Sequence, residues 1–123
     1  MAYNDMEVIA YKILSYLYEC MKYGVTPRPE DLEASSSMLR IPERYRQQVV
    51  EALLNEGLVI GFCFTDTKDG RLMIMRDDAA ITLSGREYLA ENSRMAEAKA
   101  FLGQSFQTML SAMVQAIVAA TIR

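Results

Sequence analysis

The sequence predicts a mainly α protein with a small β-hairpin: a winged helix-turn-helix domain over residues 1–93 and a long C-terminal helix over 94–123. Three observations carry that prediction. Helix signals occur three times before residue 57, as amphipathic periods or as helix starts. A single glycine, Gly57, then separates the third helix from a run of β-formers. Beyond it the pair Asp69-Gly70 marks a hairpin turn, and helical periodicity resumes near Thr82.

In chain order, Asn4 and Glu7 have the spacing of a capping box, and Met6, Ile9, Ile13, Leu14, Leu17 and Met21 follow at helical intervals. A first helix is expected from about Asp5 to Tyr23, stopped by Gly24. The segment "TPRPEDL" offers two prolines and an acidic first turn, so a short second helix starts near Pro29 and carries Leu32 inward. Ser35 to Ser37 read as an irregular connection. Pro42 marks the first turn of a third helix that reaches about Glu56, with Gly57 as its C-cap.

Leu58 to Phe64 and Leu72 to Met75 are apolar strand candidates on either side of "TDTKDG", and Ala80 to Leu83 is a further extended piece able to pair beside them. The fourth helix is capped either by Thr82 or by the Ser84 and Glu87 box, two starts that differ by two residues. A final helix runs from Met95 to Ile122.

Composition narrows the function classes. The chain of 123 residues is one domain's worth, and half of it is apolar. It holds no histidine, which removes Ser-His and Cys-His nucleophile pairs, HExxH sites and histidine-ligated zinc. No catalytic residue, metal or cofactor is expected. The consecutive Asp77 and Asp78 read as a solvated loop, and the nine methionines as core filler. Cys20 and Cys63 stand far apart, and the opening residues are polar and acidic, not those of a secretory leader, so both are expected to be reduced, buried thiols in a cytoplasmic protein.

The net charge of -3 argues mildly against nucleic acid, but the acidity is unevenly placed. From Arg40 to Arg76 six basic residues face five acidic ones, whereas the rest of the chain holds seven against eleven. On the third helix, Val49, Val50, Leu53 and Leu54 share one face with Tyr45 and Ala52 at its margin, and Arg46 snorkels at the edge. Arg44, Gln47, Gln48, Glu51 and Asn55 gather on the other face. Arginine can pair with guanine and an amide with adenine, so that face suits a major groove; a plain solvated face is the alternative, and Glu51 counts against phosphate. Lys68 and Arg71 at the hairpin turn, with Arg76 beyond them, are placed to meet a DNA backbone, although Asp66 and Asp69 offset their charge.

The final helix has no charged residue between Lys99 and Arg123. Its polar residues Gln104, Gln107, Thr108, Ser111 and Gln115 form one stripe, and Leu102, Phe106, Met109, Leu110, Met113 and Ile117 form another. That sorting argues against a membrane span. The four-three spacing of the apolar stripe is that of a helix-helix seam, read as the interface of a homodimer in preference to a fold-back onto its own domain. Five tyrosines between Tyr3 and Tyr23 mark either an interface or pocket, or a helix margin beneath the tail.

Together, "GVTP" before the second helix, "ALLNEGLVIG" at the helix-strand joint and "ITLSGREYLAENS" after the hairpin resemble the YjcQ family of small bacterial winged-helix proteins. The last segment is also similar to the stretch that ends the wing in PadR-like and MarR-like regulators. The resemblance spans roughly Val8 to Ser93, and the tail after Met95 is longer and more apolar than it implies. Fold and surface together suggest a dimeric transcriptional regulator that binds double-stranded DNA through Arg40, Arg44, Gln47, Gln48, Asn55, Lys68 and Arg71. A protein-binding or phage-like accessory module without DNA binding is the rival expectation.

Overall fold

A computed structural model describes residues 1–121. The elements, in order, are α1 (Met6–Lys22), a 3-10 turn (Pro29–Leu32), α2 (Glu43–Asn55), β1 (Val59–Thr67), β2 (Gly70–Ile81), α3 (Leu83–Glu91) and α4 (Ser93–Thr121). The two strands pair antiparallel as one hairpin. Three helical pieces, a hairpin and a long C-terminal helix form a winged-helix-like arrangement, as the sequence predicts. The predicted end of the last helix, Ile122, lies outside the described residues.

α1 is the central element. Val8 to Leu17 are buried without a break, so α1 has no wet face along its middle. α4 lies along it, with the Tyr11 and Phe106 rings 5.8 Å apart and the Gln107 amide donating to the Tyr11 hydroxyl at 2.9 Å. α2, α3 and β2 close the remaining sides. The expected capping box at its start does not form. Asp5 occupies the cap, one residue after Asn4, and its carboxylate accepts from the Ala2 amide instead. The Asn4 carbonyl accepts from the Tyr45 hydroxyl at 2.6 Å.

α2 ends in a Schellman motif: the Leu58 amide donates to the Leu53 carbonyl and the Gly57 amide to the Leu54 carbonyl. Gly57 has φ 71°, a left-handed turn that reverses the chain from helix into strand within one residue. The hairpin is longer than predicted. Lys68 and Asp69 alone form its turn, with Gly70 as the residue after them, and the polar segments Thr65–Thr67 and Gly70–Arg71 continue the ladder. Backbone pairing there needs no apolar face, so hydropathy missed it. Ala80 and Ile81 are the end of β2, not a separate piece. Asp77 and Asp78 likewise sit within β2, where residues 76–79 bulge opposite Gly61. At Gly61 a β-carbon would come within 2.3 Å of the Ala79 backbone.

α3 takes the Thr82 cap of the two starts considered. The Thr82 hydroxyl donates to the Gly57 carbonyl at 2.6 Å and accepts from the Gly85 amide at 3.0 Å, while its own amide donates to the Leu58 carbonyl. One residue therefore joins the end of α2, the start of β1 and the start of α3. α4 begins at Ser93, two residues earlier than expected, because the Asn92 side chain accepts from the amides of Arg94 and Met95. It is not one straight helix: Gly103, at φ 67° and ψ −163°, breaks it into two pieces.

The residues of the expected dimer seam are largely covered within the single chain. Leu102, Phe106, Leu110 and Ile117 are buried in the single chain, together with Val114, and belong to the same core as α1. Met109 and Met113 are half-buried at its margin. Each buried side chain of this size contributes about 1.5–3 kcal/mol, so peeling α4 from α1 to pair two copies would forfeit several such contributions. The cysteines divide as well. Cys20 is buried, which pushes its thiol up to about 11, whereas Cys63 is exposed on the hairpin.

Gly85 tests the Thr82 joint through a reversal of sign. Alanine in a helix normally stabilises relative to glycine by about 1 kcal/mol. Here its β-carbon would stand 2.1 Å from the Leu58 carbonyl oxygen. Gly85→Ala is expected to destabilise the protein by about 2–3 kcal/mol in urea unfolding, and a gain in stability would show that the joint is not tight.

Candidate nucleic-acid interface

α2 and the hairpin bound a cleft of about 580 Å³, between Glu43, Arg44, Gln47, Gln48, Glu51 and Arg71. Helical spacing puts Arg44, Gln48, Glu51 and Asn55 in one stripe along α2, and Arg44, Gln48 and Asn55 are exposed. Lys68 is exposed at the hairpin turn, and Arg40 is exposed in the loop that leads into α2. Six of the seven residues expected to meet DNA are thus exposed, and five of them, all but Arg71, have no side-chain partner among the described residues.

The other two hold the wing to the helix. Gln47 is 6 % exposed, and its amide donates to the Glu43 carboxylate at 2.7 Å and to the Arg71 carbonyl at 2.9 Å. It is a strut between α2 and β2, not a free base reader. The Arg71 guanidinium pairs with Glu51 and lies 4.1 Å from the centre of the Phe64 ring. Glu51 holds Arg71 above its ordinary range, and Arg71 holds the Glu51 carboxyl below the usual one. The acid that seemed to count against phosphate instead anchors the wing, and it removes one arginine from the set of free cations.

Arg46 does not snorkel to solvent. It is buried and donates to the Leu32 carbonyl at 2.9 Å and to Glu43 at 2.6 Å, tying the 3-10 turn to α2. Its Nε has no partner among the described residues. The spacings Glu43–Arg46 and Glu43–Gln47, i+3 and i+4 on a helix, were the signal available in the sequence. Lys12 is a second group that sequence reasoning passed over. A lone cation inside "VIAYKILSYL", it is 8 % exposed and donates to the Met38 carbonyl at 2.9 Å. Burial, and then the field of Arg40, push its pKa down.

Among the described residues, Arg40, Arg44 and Lys68 enter no ion pair. They are the cations left available on this side of the molecule. Arg76 pairs with Asp78 at 3.8 Å. No group of three or more histidine, cysteine or acidic residues able to hold a metal ion occurs among the described residues. No helix among them is long and apolar enough to cross a membrane.

The tie between Arg71 and Glu51 sets a pH expectation. A carboxyl depressed in the folded state contributes stability above its unfolded pKa, and that contribution is lost as pH falls through the folded value. In Arg71→Ala, carboxyl NMR should show Glu51 titrating at higher pH than in the wild type, and amide exchange in residues 62–75 should quicken. An unchanged Glu51 titration would mean that the pair does not form.

A family model described as YjcQ protein matches residues 11–102, which extends past the expected region into α4. No curated protein matches the chain, and no solved structure does. With well over half of its length matched, and the Thr82–Gly85 joint and most of α1 inside the matched span, the chain belongs to the YjcQ family.

Proposed function

We propose that this protein binds double-stranded DNA as a transcriptional regulator, with α2 in the major groove and the hairpin along the backbone. The observation that carries the reading is the fixed wing. Gln47 and Glu51 hold Arg71 against α2, so the unpaired Arg44 and Lys68 are presented by parts whose relative position is set before any ligand arrives. Gln48 and Asn55 extend the same stripe with amides suited to adenine, and Arg44 with a fork suited to guanine. A cytoplasmic location goes with the proposal.

The proposal changes two features of the sequence expectation. Gln47 and Arg71 act as positioning residues for the wing, which leaves Arg40, Arg44, Gln48, Asn55 and Lys68 as contacts. Pairing of two copies through the apolar stripe of α4 is dropped, because four of its six residues are covered by the chain's own core. Gel filtration of the full chain at micromolar concentration is expected to show a monomer. A dimer that persists in Leu110→Ala and Ile117→Ala variants would point to a different surface.

A second reading has an observation of its own. On the outer face of the hairpin, Leu72 and Ile74 are 50 % and 41 % exposed, across from Thr65 and Cys63. Such a strip suits a protein partner, and an accessory module would use it.

Salt titration separates the two. Binding to a non-specific duplex should be detectable at about 50 mM salt and fall steeply by about 200 mM, because each phosphate contact releases counterions. Arg44→Ala and Lys68→Ala should each weaken it and lower the salt slope by about 1, with unfolding curves unchanged. Undetectable or salt-insensitive binding would overturn the DNA reading and leave the outer strip of the hairpin as the working surface.

A further inference from the structure

A cleft of about 350 Å³ opens where the start of α1 meets the loop before α2, with Tyr3, Asn4, Lys12, Ser37 and Arg40 among the residues around it. Its charge is unusual for this molecule. Four other clefts each carry carboxylates: Glu19, Asp77 with Asp78, Glu43 with Glu51, and Glu7 with Glu56. This one has two cations at its wall and no acid.

Lys12 is the odd residue. A buried ammonium normally has a carboxylate beside it, because an unpaired charge out of water is costly. Lys12 has three N–H donors and, among the described residues, one acceptor, the Met38 carbonyl. Arg40, at the same cleft, repels it.

Arg40 shows a second irregularity. It has φ 48°, the left-handed region, and among the described residues it is the one non-glycine there. The loop holds it in place: the Leu39 and Arg40 amides donate to the Ser36 carbonyl, and the Ile41 amide to the Ala34 carbonyl. Glycine or asparagine would take that backbone with less strain, and the arginine held there lines the same cleft as Lys12.

From the pairing of a buried, acid-free lysine with a strained arginine at one cleft, we infer that Lys12 and Arg40 form a binding site for a phosphate group. An oxyanion between them would accept the free N–H groups of Lys12, meet the guanidinium fork and cancel the repulsion between the two cations. The Ser37 hydroxyl and the Asn4 amide also line the cleft as further donors. The phosphate has two candidate sources, a free phosphorylated ion or a DNA backbone meeting the chain just before α2. The site does not require the DNA reading.

The experiment follows the Lys12 side-chain NMR signal in the full chain during titration with inorganic phosphate, against chloride at equal ionic strength, and then with duplex DNA. Phosphate should shift the signal and raise the melting temperature with concentration, and Arg40→Gln should weaken binding about tenfold or more. Arg40 is exposed, so that variant keeps the fold; Lys12→Met, which removes a buried charge and the donor to the Met38 carbonyl, should abolish the phosphate-dependent rise in melting temperature, measured against its own phosphate-free value. A shift with duplex but not with free phosphate, lost in Arg40→Gln, assigns the site to a DNA phosphate. Silence of Lys12 toward both ligands overturns the site, as does phosphate binding indifferent to both variants. Duplex binding with a silent Lys12 removes this site but not the DNA reading, and phosphate binding without duplex binding does the reverse.

Discussion

The rest of the structure depends on burying the middle of α1, Val8 to Leu17, all the way round. A helix with no wet face must be enclosed by other elements, and every polar group along it must find a partner inside the protein. Three such groups determine where the surroundings lie. Lys12 reaches the Met38 carbonyl and fixes the loop before α2. The Tyr16 hydroxyl donates to Asp31 at 2.7 Å and accepts from the Arg28 amide at 2.9 Å, which pins the 3-10 turn; burial, and then that carboxylate, push its pKa well up. Tyr11 takes the Gln107 amide and so orients α4. The density of tyrosines in this helix has its explanation there, as polar ties within a core more than as a contact surface. Tyr3 and Tyr23 are the exposed exceptions.

Much of the fold was legible because it rests on local signals. Periodicity gave α1 and α2, and the glycines at 24 and 57 gave their ends, since each ending is a backbone pattern set within a few residues. What was not legible depends on distant neighbours. The polar ladder near the hairpin turn has no hydropathy signature, and the bulge opposite Gly61 disguised the end of β2 as a separate strand. The apolar stripe of α4 is a stripe as expected, and four of its six residues are buried within the single chain. Spacing says that a face will be covered and not by what, and here α1 covers it.

The candidate site was legible to a similar depth. Arg44, Gln48, Asn55, Lys68 and Arg40 are exposed as expected, whereas Gln47 and Arg71 are structural ties. Composition could count the acids near the arginines but could not assign pairs. Glu51 and Arg71 are twenty positions apart, and they meet because Gly57 turns β1 back beside α2 and the hairpin returns β2 to the same helix. Lys12 was hidden for the opposite reason. One cation in an apolar run reads as a tolerated irregularity until the fold shows that, among the described residues, it meets a carbonyl and no carboxylate.

The Thr82 joint bears on how the family is to be understood. In the segment "ITLSGREYLAENS" the threonine bridges Gly57 and Gly85, and the glycine makes room for the Leu58 carbonyl. Both residues are therefore fixed by the docking of α3 on the end of α2, with no group of either turned toward the α2–wing cleft. A chain can keep this pattern while its outward side chains on α2 and the hairpin change completely. Likeness in this segment reports shared architecture, and kinship of ligand has to be sought in positions that the pattern leaves unspecified.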